Sequence, residues 1–338
     1  MFFSNLKHES DGVPRHPRSG RTLLVASTGG HLEQLYRLHT RFVPALSDVE
    51  WVTFDTPQAR HLLASERVHY VPLVAPKDLW HTAASLGHAH RILGSGRFDR
   101  VISTGAAVAV PFLAVARAKG MEVHYIESAA RSMAPSLSGS MVSHLPRIHL
   151  YAQYPRWSGD KWLYRGAVFD GFTTGPRREC NTLNRVVVTF GTQAGFGFRR
   201  AVDRLVTLMP EVCAPDATIL WQTGATDMSG LPVESHTSVP AKDLADAVSE
   251  ADVVVAHAGI GSALLALEHG RCPVLLPRRR SFGEHTDDHQ TFIAGELRDR
   301  HLAISPEADQ VAAADLLQAG RMSAVPMDRV ESFQLQLD

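Results

Sequence analysis

The sequence predicts an α/β protein: two Rossmann-like, doubly wound parallel-sheet domains facing one another across a cleft. Three observations predict it. The chain has 338 residues, enough for two domains at roughly 150 residues each. Short apolar, β-rich runs alternate with longer helical stretches, and the runs are continuous rather than alternating, as in strands covered on both faces. One polar stretch bearing Gly and Pro, residues 171–184 (GFTTGPRRECNTLN), interrupts this rhythm near the middle, as a linker between domains does.

Taken in order, residues 1–20 are polar and expected to be a disordered tail. Residues 21–172 form the first domain, with strands at 22–26, 49–54, 68–73, 100–103, 123–126 and 147–151. Residues 173–184 are the linker. The second domain, 185–325, has strands at 186–190, 218–221, 253–256 and 274–276 and helices at 198–209, 242–250, 262–268 and 288–300. Residues 326–338 are a C-terminal tail or helix. Ligands of such sheets bind at the carboxyl ends of the strands, so function is expected in the cleft.

Composition narrows the function. Lys+Arg 34 against Asp+Glu 35 gives a formal net charge of −1, so no basic excess exists to hold a nucleic-acid backbone. Hydrophobic residues at 44% and charged ones at 20% describe a globular chain. Cys180, Cys213 and Cys272 form no C-x-x-C pair and leave an odd thiol, which argues against a disulfide framework and for a reducing cytoplasm. The first residues lack the apolar core of a signal peptide. The longest uncharged apolar run, 101–116, is broken by Thr104, Gly105 and Pro111 and falls short of the ~18 to 20 residues of a spanning helix.

Three motifs carry chemistry. The first strand runs into Ser27-Thr28-Gly29-Gly30-His31, where paired glycines let a backbone approach a ligand and helix N–H groups point at it. His31 is then either a group at the cleft mouth or a cap bonded only to its own turn. The strand at 253–256 runs into His257-Ala258-Gly259-Ile260-Gly261-Ser262 ahead of an apolar helix. That suits a diphosphate at a helix N-terminus, or is simply a tight turn. The third is Pro277-Arg278-Arg279-Arg280 followed by FGEHTDDHQ at 282–290. Its arginines suit phosphate and its polar run suits sugar hydroxyls; His285, Asp287, Asp288 and His289 as metal ligands, or a solvated loop, are the competing readings.

The second and third motifs, preceded by Val188-Thr189-Phe190-Gly191-Thr192-Gln193, resemble the donor-nucleotide domain of family 28 glycosyltransferases. Ala26-Ser27-Thr28-Gly29-Gly30-His31, Val101-Ile102-Ser103-Thr104-Gly105 and Tyr125-Ile126-Glu127-Ser128 resemble the partner subunit of the same system. Over residues 21–303 the chain looks like a natural fusion of the two-subunit sugar transferase of lipid-linked oligosaccharide synthesis, whose relatives include bacterial exopolysaccharide pairs. It is more distantly similar to the single-chain peptidoglycan transferase acting on a lipid intermediate.

The resemblance implies a GT-B fold and an inverting transfer of a hexose or N-acetylhexosamine from a UDP-sugar to a polyprenyl-diphosphate-linked sugar. The donor falls to Gly191, Thr192, His257, Gly259, Gly261, Ser262, Arg278, His289 and Gln290, and the acceptor to Gly29, Gly30, Thr104, Gly105 and Ser128. His31 is the expected base, its ordinary pKa of about 6.5 suiting proton uptake; Glu127 orients it, binds acceptor or replaces it. No cofactor, metal or nucleic acid is expected. The protein is placed in the cytoplasm, peripherally on the inner face of the membrane, with the uncharged segment 133–142 as the part that meets lipid or, alternatively, as a covered loop.

One position departs from the pattern. Many relatives carry a ribose-binding Glu eight residues after the His of H-A-G-x-G-S; here it is Leu265, and the nearest carboxylate is Glu268, about one turn further along the helix. The rival readings are a sugar-nucleotide 2-epimerase on the same scaffold, and a nucleotide-sugar-binding or recruiting protein without catalysis.

Overall fold

The computed structural model describes residues 20–73, 79–192 and 195–337. The tail expected at 1–19 and Gln193 of the resemblance motif lie outside the described residues. The N-terminal domain is built on β1 (Arg21–Ala26), β2 (Asp48–Phe54), β3 (Val68–Val71), β4 (Arg100–Gly105), β5 (Glu122–Ile126), β6 (Ile148–Ala152) and β7 (Leu163–Tyr164). They form one parallel sheet in the order β3-β2-β1-β4-β5-β6-β7. The C-terminal domain is a second parallel sheet of β8 (Leu183–Thr189), β9 (Cys213–Gln222), β10 (Val253–His257) and β11 (Val274–Leu276), in the order β9-β8-β10-β11.

Both orders reverse once, between β1 and β4 and between β8 and β10. A crevice opens at the strand ends where the order reverses, because the loops on either side diverge. The Gly-Gly-His turn leaves β1 and Thr104-Gly105 ends β4; Gly191 follows β8, and His257 ends β10. All the motif residues of the first two loops are therefore delivered to the two switch points.

The helices are α1 (Gly30–Leu38), α2 (Pro57–Leu62), α3 (Leu79–Leu93), α4 (Ala109–Ala118), α5 (Leu137–Val142), α6 (Arg199–Val212), α7 (Ala241–Glu250), α8 (Ile260–Glu268), α9 (His289–Asp299) and α10 (Ala313–Arg321). One apolar core crosses the domain boundary: Leu32 and Leu35 of α1 share it with Ile260, Ala263 and Leu264 of α8. Arg–carboxylate pairs rim that contact, Arg37 with Glu268, Arg156 with Glu296 at 2.5 Å and Arg300 with Asp170 at 2.8 Å.

Two segments differ from the sequence reading. The stretch read as a linker begins in a strand, since Phe172–Thr174 pairs antiparallel with Ala324–Pro326. The C-terminal tail does not trail away but returns to the N-terminal domain, where Phe333–Gln334 lies parallel to Phe42–Val43. Phe333 is fully buried against Phe42 and Tyr151, with ring centroids 5.4 Å and 5.1 Å away. The run Phe333-Gln334-Leu335-Gln336 alternates, with Phe333 and Leu335 buried and Gln334 and Gln336 exposed, as a half-buried strand requires.

Candidate active site

The two glycine turns meet. A Cβ built on Gly30 would stand 3.2 Å from Ile260 Cβ and 3.7 Å from Gly261 N, so the N-terminus of α1 lies directly on that of α8. Neither N-cap residue, Gly29 or Gly259, caps its helix with a side chain, though Gly29 N donates to Gln58 Oε1 at 2.8 Å. The acid in the first turn of α1, Glu33, is already bonded to Arg37 and accepts from Gln58 at 3.0 Å. Each helix N-terminus carries roughly half a positive charge. Two uncapped positive ends turned toward one place make a site for an anion.

His31 is held by its neighbour strand. Its Nδ1 lies 2.7 Å from the Thr104 carbonyl, and Thr104 Oγ1 donates back to the His31 carbonyl at 2.8 Å. A carbonyl only accepts, so Nδ1 carries the hydrogen and Nε2 keeps its lone pair. Burial, with a smaller push from the positive Arg131, lowers the pKa below 6.5, against the pull of the Thr104 carbonyl. The imidazole is thus neutral at pH 7 and able to take a proton. Gly105 beside it has φ of 110°, and a Cβ there would sit 2.8 Å from the Tyr125 hydroxyl and 3.3 Å from the His31 ring. The orienting bond expected from Glu127 is therefore supplied by Thr104, and Thr104 and Gly105 act on His31.

Glu127 is fully buried. One carboxylate oxygen accepts from Ser128 N at 3.0 Å, the other from Ser136 N at 2.8 Å and Ser136 Oγ at 3.1 Å. Burial raises its pKa while these bonds and Arg131 oppose the rise. It ties the loop after β5 onto the strand end, and a Cβ on Gly139 would strike it at 2.1 Å. Ser128 is similarly engaged, its hydroxyl accepting from Gln34 Nε2 at 3.1 Å and Ala130 N at 3.2 Å.

On the C-terminal domain the His257 ring is packed between turns. A Cβ on Gly191, whose φ is 71°, would lie 2.9 Å from it, and one on Gly259 2.3 Å. Ser262 Oγ is 3.5 Å from its Nδ1. Burial, then the charge of Arg278, push its pKa down to about 3, so His257 is a neutral spacer between the loops. Thr192 is exposed beside it. Arg278 is 2% exposed, donates from Nη2 to the Phe190 carbonyl at 2.8 Å and leaves Nε without a partner. Burial lowers its pKa only to about 10, so a protonated guanidinium lies under the Gly191 loop. Gln290 is buried and accepts from Arg278 N at 3.1 Å. The neighbouring Glu284 is taken by a forked bond from Arg200, at 3.0 and 2.9 Å.

The ligand atoms of His285, Asp287 and His289 lie within 4.8 Å of one another. Asp287 is shared between His289 Nδ1 and Arg131, whose Nη1 is 3.0 Å from Oδ2. A second such trio among the described residues, Glu122, His124 and His149, is on the N-terminal sheet. Glu268 pairs with Arg37 of α1, and Leu265 packs beside Val187 and Val254; neither offers a free carboxylate to a ribose.

Sequence reasoning missed Arg131, whose side chain ties the loop after β5 to Asp287 of the donor-side motif. Its signal was composition: it is the only Lys or Arg between Lys119 and Arg147.

Twin parallel α/β domains whose switch points face each other define the GT-B fold, and residues 185–311 match the glycosyltransferase family 28 C-terminal domain. The chain has the GT-B fold, and residues 185–311 of its C-terminal domain are similar to that family's domain. It is 41% identical over 93 residues to the UDP-N-acetylglucosamine transferase subunit ALG13 of Yarrowia lipolytica, an alignment covering 27% of this chain and 41% of that protein; the match thus spans under half of that relative. It is 25% identical over 262 residues to the UDP-N-acetylglucosamine--N-acetylmuramyl-(pentapeptide) pyrophosphoryl-undecaprenol N-acetylglucosamine transferase of Chlorobium limicola, over 72% of this chain and 71% of that one. Among solved structures, MurG of Acinetobacter baumannii shares the fold with a TM-score of 0.56 at 19% identity, covering 88% of this chain and 89% of the other. No described helix is long and apolar enough to cross a membrane.

Proposed function

We propose that the protein is an inverting glycosyltransferase that moves a hexose or N-acetylhexosamine from a UDP-sugar to a polyprenyl-diphosphate-linked sugar in exopolysaccharide or cell-envelope glycan synthesis. The observation that carries this reading is the meeting of two uncapped helix N-termini beside a neutral histidine whose Nε2 is available. The relatives' names, a UDP-N-acetylglucosamine transferase subunit and a transferase acting on an undecaprenol-linked substrate, support the same substrate classes.

In this reading the donor diphosphate sits against the first-turn amides of α8, Gly261 and Ser262 among them, with Gly259 and Gly191 keeping the backbone bare. Arg278 adds positive potential from beneath. The acceptor hydroxyl enters on the side of Gly29 and Gly30. Its oxygen attacks the anomeric carbon as the bond from that carbon to the phosphate oxygen breaks. The hydroxyl proton passes to His31 Nε2 and the electron pair leaves with UDP, its growing charge met by donors already in place. Attack opposite the leaving group inverts the anomeric centre. Glu127 and Ser128 shape the acceptor loop. His257 spaces Gly191 from Gly259, while His289 and Gln290 line the donor sugar beside Thr192.

Met133, Leu137 and Met141 are 57%, 69% and 49% exposed on and just before α5. They form an apolar face on the acceptor side of the cleft, which supports peripheral binding to the inner face of the cytoplasmic membrane. The test is UDP release with and without a polyprenyl-diphosphate-sugar in membrane extract. Release that needs the lipid acceptor supports the transferase, whereas acceptor-independent turnover of the UDP-sugar, or binding without turnover, contradicts it.

A further inference from the structure

The cleft contains a cation that neither helix end requires. Arg131 belongs to the N-terminal domain, in the loop after β5, where its amide donates to the Ser128 carbonyl at 2.8 Å and its carbonyl accepts from Trp157 Nε1 at 3.1 Å. With the main chain fixed at both ends, the guanidinium reaches across to the other domain and stands 3.0 Å from Asp287 Oδ2. The remaining oxygen of Asp287 accepts from His289 Nδ1. A carboxylate only accepts, so this bond keeps the hydrogen on Nδ1 and leaves Nε2 as an acceptor, the chemistry that suits a sugar hydroxyl.

The arrangement continues into the donor loops. The His289 ring stands edge-on to His285 at 4.7 Å, and His285 stacks on Phe196 at 5.4 Å, in the loop that follows Thr192. Asp287 thus holds an imidazole fixed in a stack whose other end is the Gly191 loop. An isolated, part-exposed ion pair contributes little. This one differs because its carboxylate is shared with His289 and because it joins the two domains.

We propose that Arg131 is a positioning residue of the donor site supplied by the opposite domain: by clamping Asp287 it fixes the His289 imidazole, so that recognition of a nucleotide-sugar hydroxyl is complete only when the domains are closed. The inference rests on the donor site of the preceding reading and adds an acceptor-domain residue to it. It also predicts a specificity role, since a fixed acceptor rejects a sugar lacking the matching hydroxyl more strongly than an apolar wall rejects an extra one.

The experiment uses the full chain and whichever of UDP-glucose, UDP-galactose or UDP-N-acetylglucosamine stabilises it most against heat. Affinity is measured by calorimetry for wild type, Arg131→Gln, Arg131→Lys, Asp287→Asn and the double variant Arg131→Gln/Asp287→Asn. Each single loss is expected to weaken binding about tenfold and the double variant no further, the signature of one shared interaction. Lysine restores part of the affinity, and the donor KM rises more than kcat falls. Wild-type affinity and KM in Arg131→Gln, or losses that multiply in the double variant, overturn the clamp. If the clamp is observed but UDP release does not depend on the lipid acceptor, the clamp stands and the transferase reading falls. If release depends on the acceptor but Arg131→Gln leaves affinity intact, the reverse holds.

Discussion

At the scale of single residues, a backbone carbonyl makes a histidine useful: Thr104 O holds the hydrogen on His31 Nδ1. Removing it in His31→Ala should cut kcat at least about 100-fold, the usual contribution of a positioned base, while UDP affinity measured by calorimetry stays within about twofold. Its pKa lies below 6.5 because of burial and, secondarily, Arg131. A base must be neutral to act, so kcat/KM should rise with pH through that lowered value and be flat above it. Arg131→Gln removes the nearby positive charge and should move the acid limb to higher pH. Gly105→Ala combines a φ of 110° with a 2.8 Å clash on Tyr125, and should lower stability by about 1 to 3 kcal/mol, read by denaturant unfolding. Gly29, Gly30 and His31 stood out because a glycine pair at a strand-to-helix turn is rare and local, whereas Glu127 was marked only by the resemblance of Tyr125-Ile126-Glu127-Ser128. The Thr104 carbonyl was invisible there, since a backbone acceptor has no letter, and Arg131 reads as an ordinary surface residue until the other domain is set against it.

At the scale of elements, the strands were the most legible part. Residues 253–256 read Val-Val-Val-Ala, and a run apolar on both faces has few alternatives to a central parallel strand. The returning strand at Phe333–Gln334 was missed although Phe333-Gln334-Leu335-Gln336-Leu337 alternates, because so short a run does not say which sheet receives it. The uncharged segment at 133–142 contains α5, capped by Ser136 Oγ, which accepts from Gly139 N at 3.0 Å. Spacing by four puts Leu137 and Met141 on one helix face. Changing both to Asp should abolish co-sedimentation with anionic phospholipid vesicles while leaving the melting temperature within a few degrees, since both are exposed. Equal sedimentation of wild type and variant would remove the lipid-facing role of α5.

At the scale of the molecule, two domains share one core and a set of Arg–carboxylate pairs, so closure and stability are linked. Buried neutral imidazoles make the whole sensitive to acid. Burial holds His124, which is fully buried, down at about 4. Below pH 6.5 the unfolded chain takes up a proton that the native state refuses, so stability falls as pH drops from about 6.5 toward 4. Roughly 3 kcal/mol is lost at that site by the lower limit, and His124→Asn should flatten the slope of unfolding free energy against pH. The domain pattern and the donor-side motifs could be read along the chain, but the meeting of α1 with α8 could not. It depends on the relative placement of two sheets, which no local run encodes. A crystal structure of the complex with UDP shows whether that meeting holds the donor. The diphosphate is expected within about 3 Å of the Gly261 and Ser262 amides, on the side facing His31. A diphosphate bound away from the α8 N-terminus, or on its far side from His31, contradicts it.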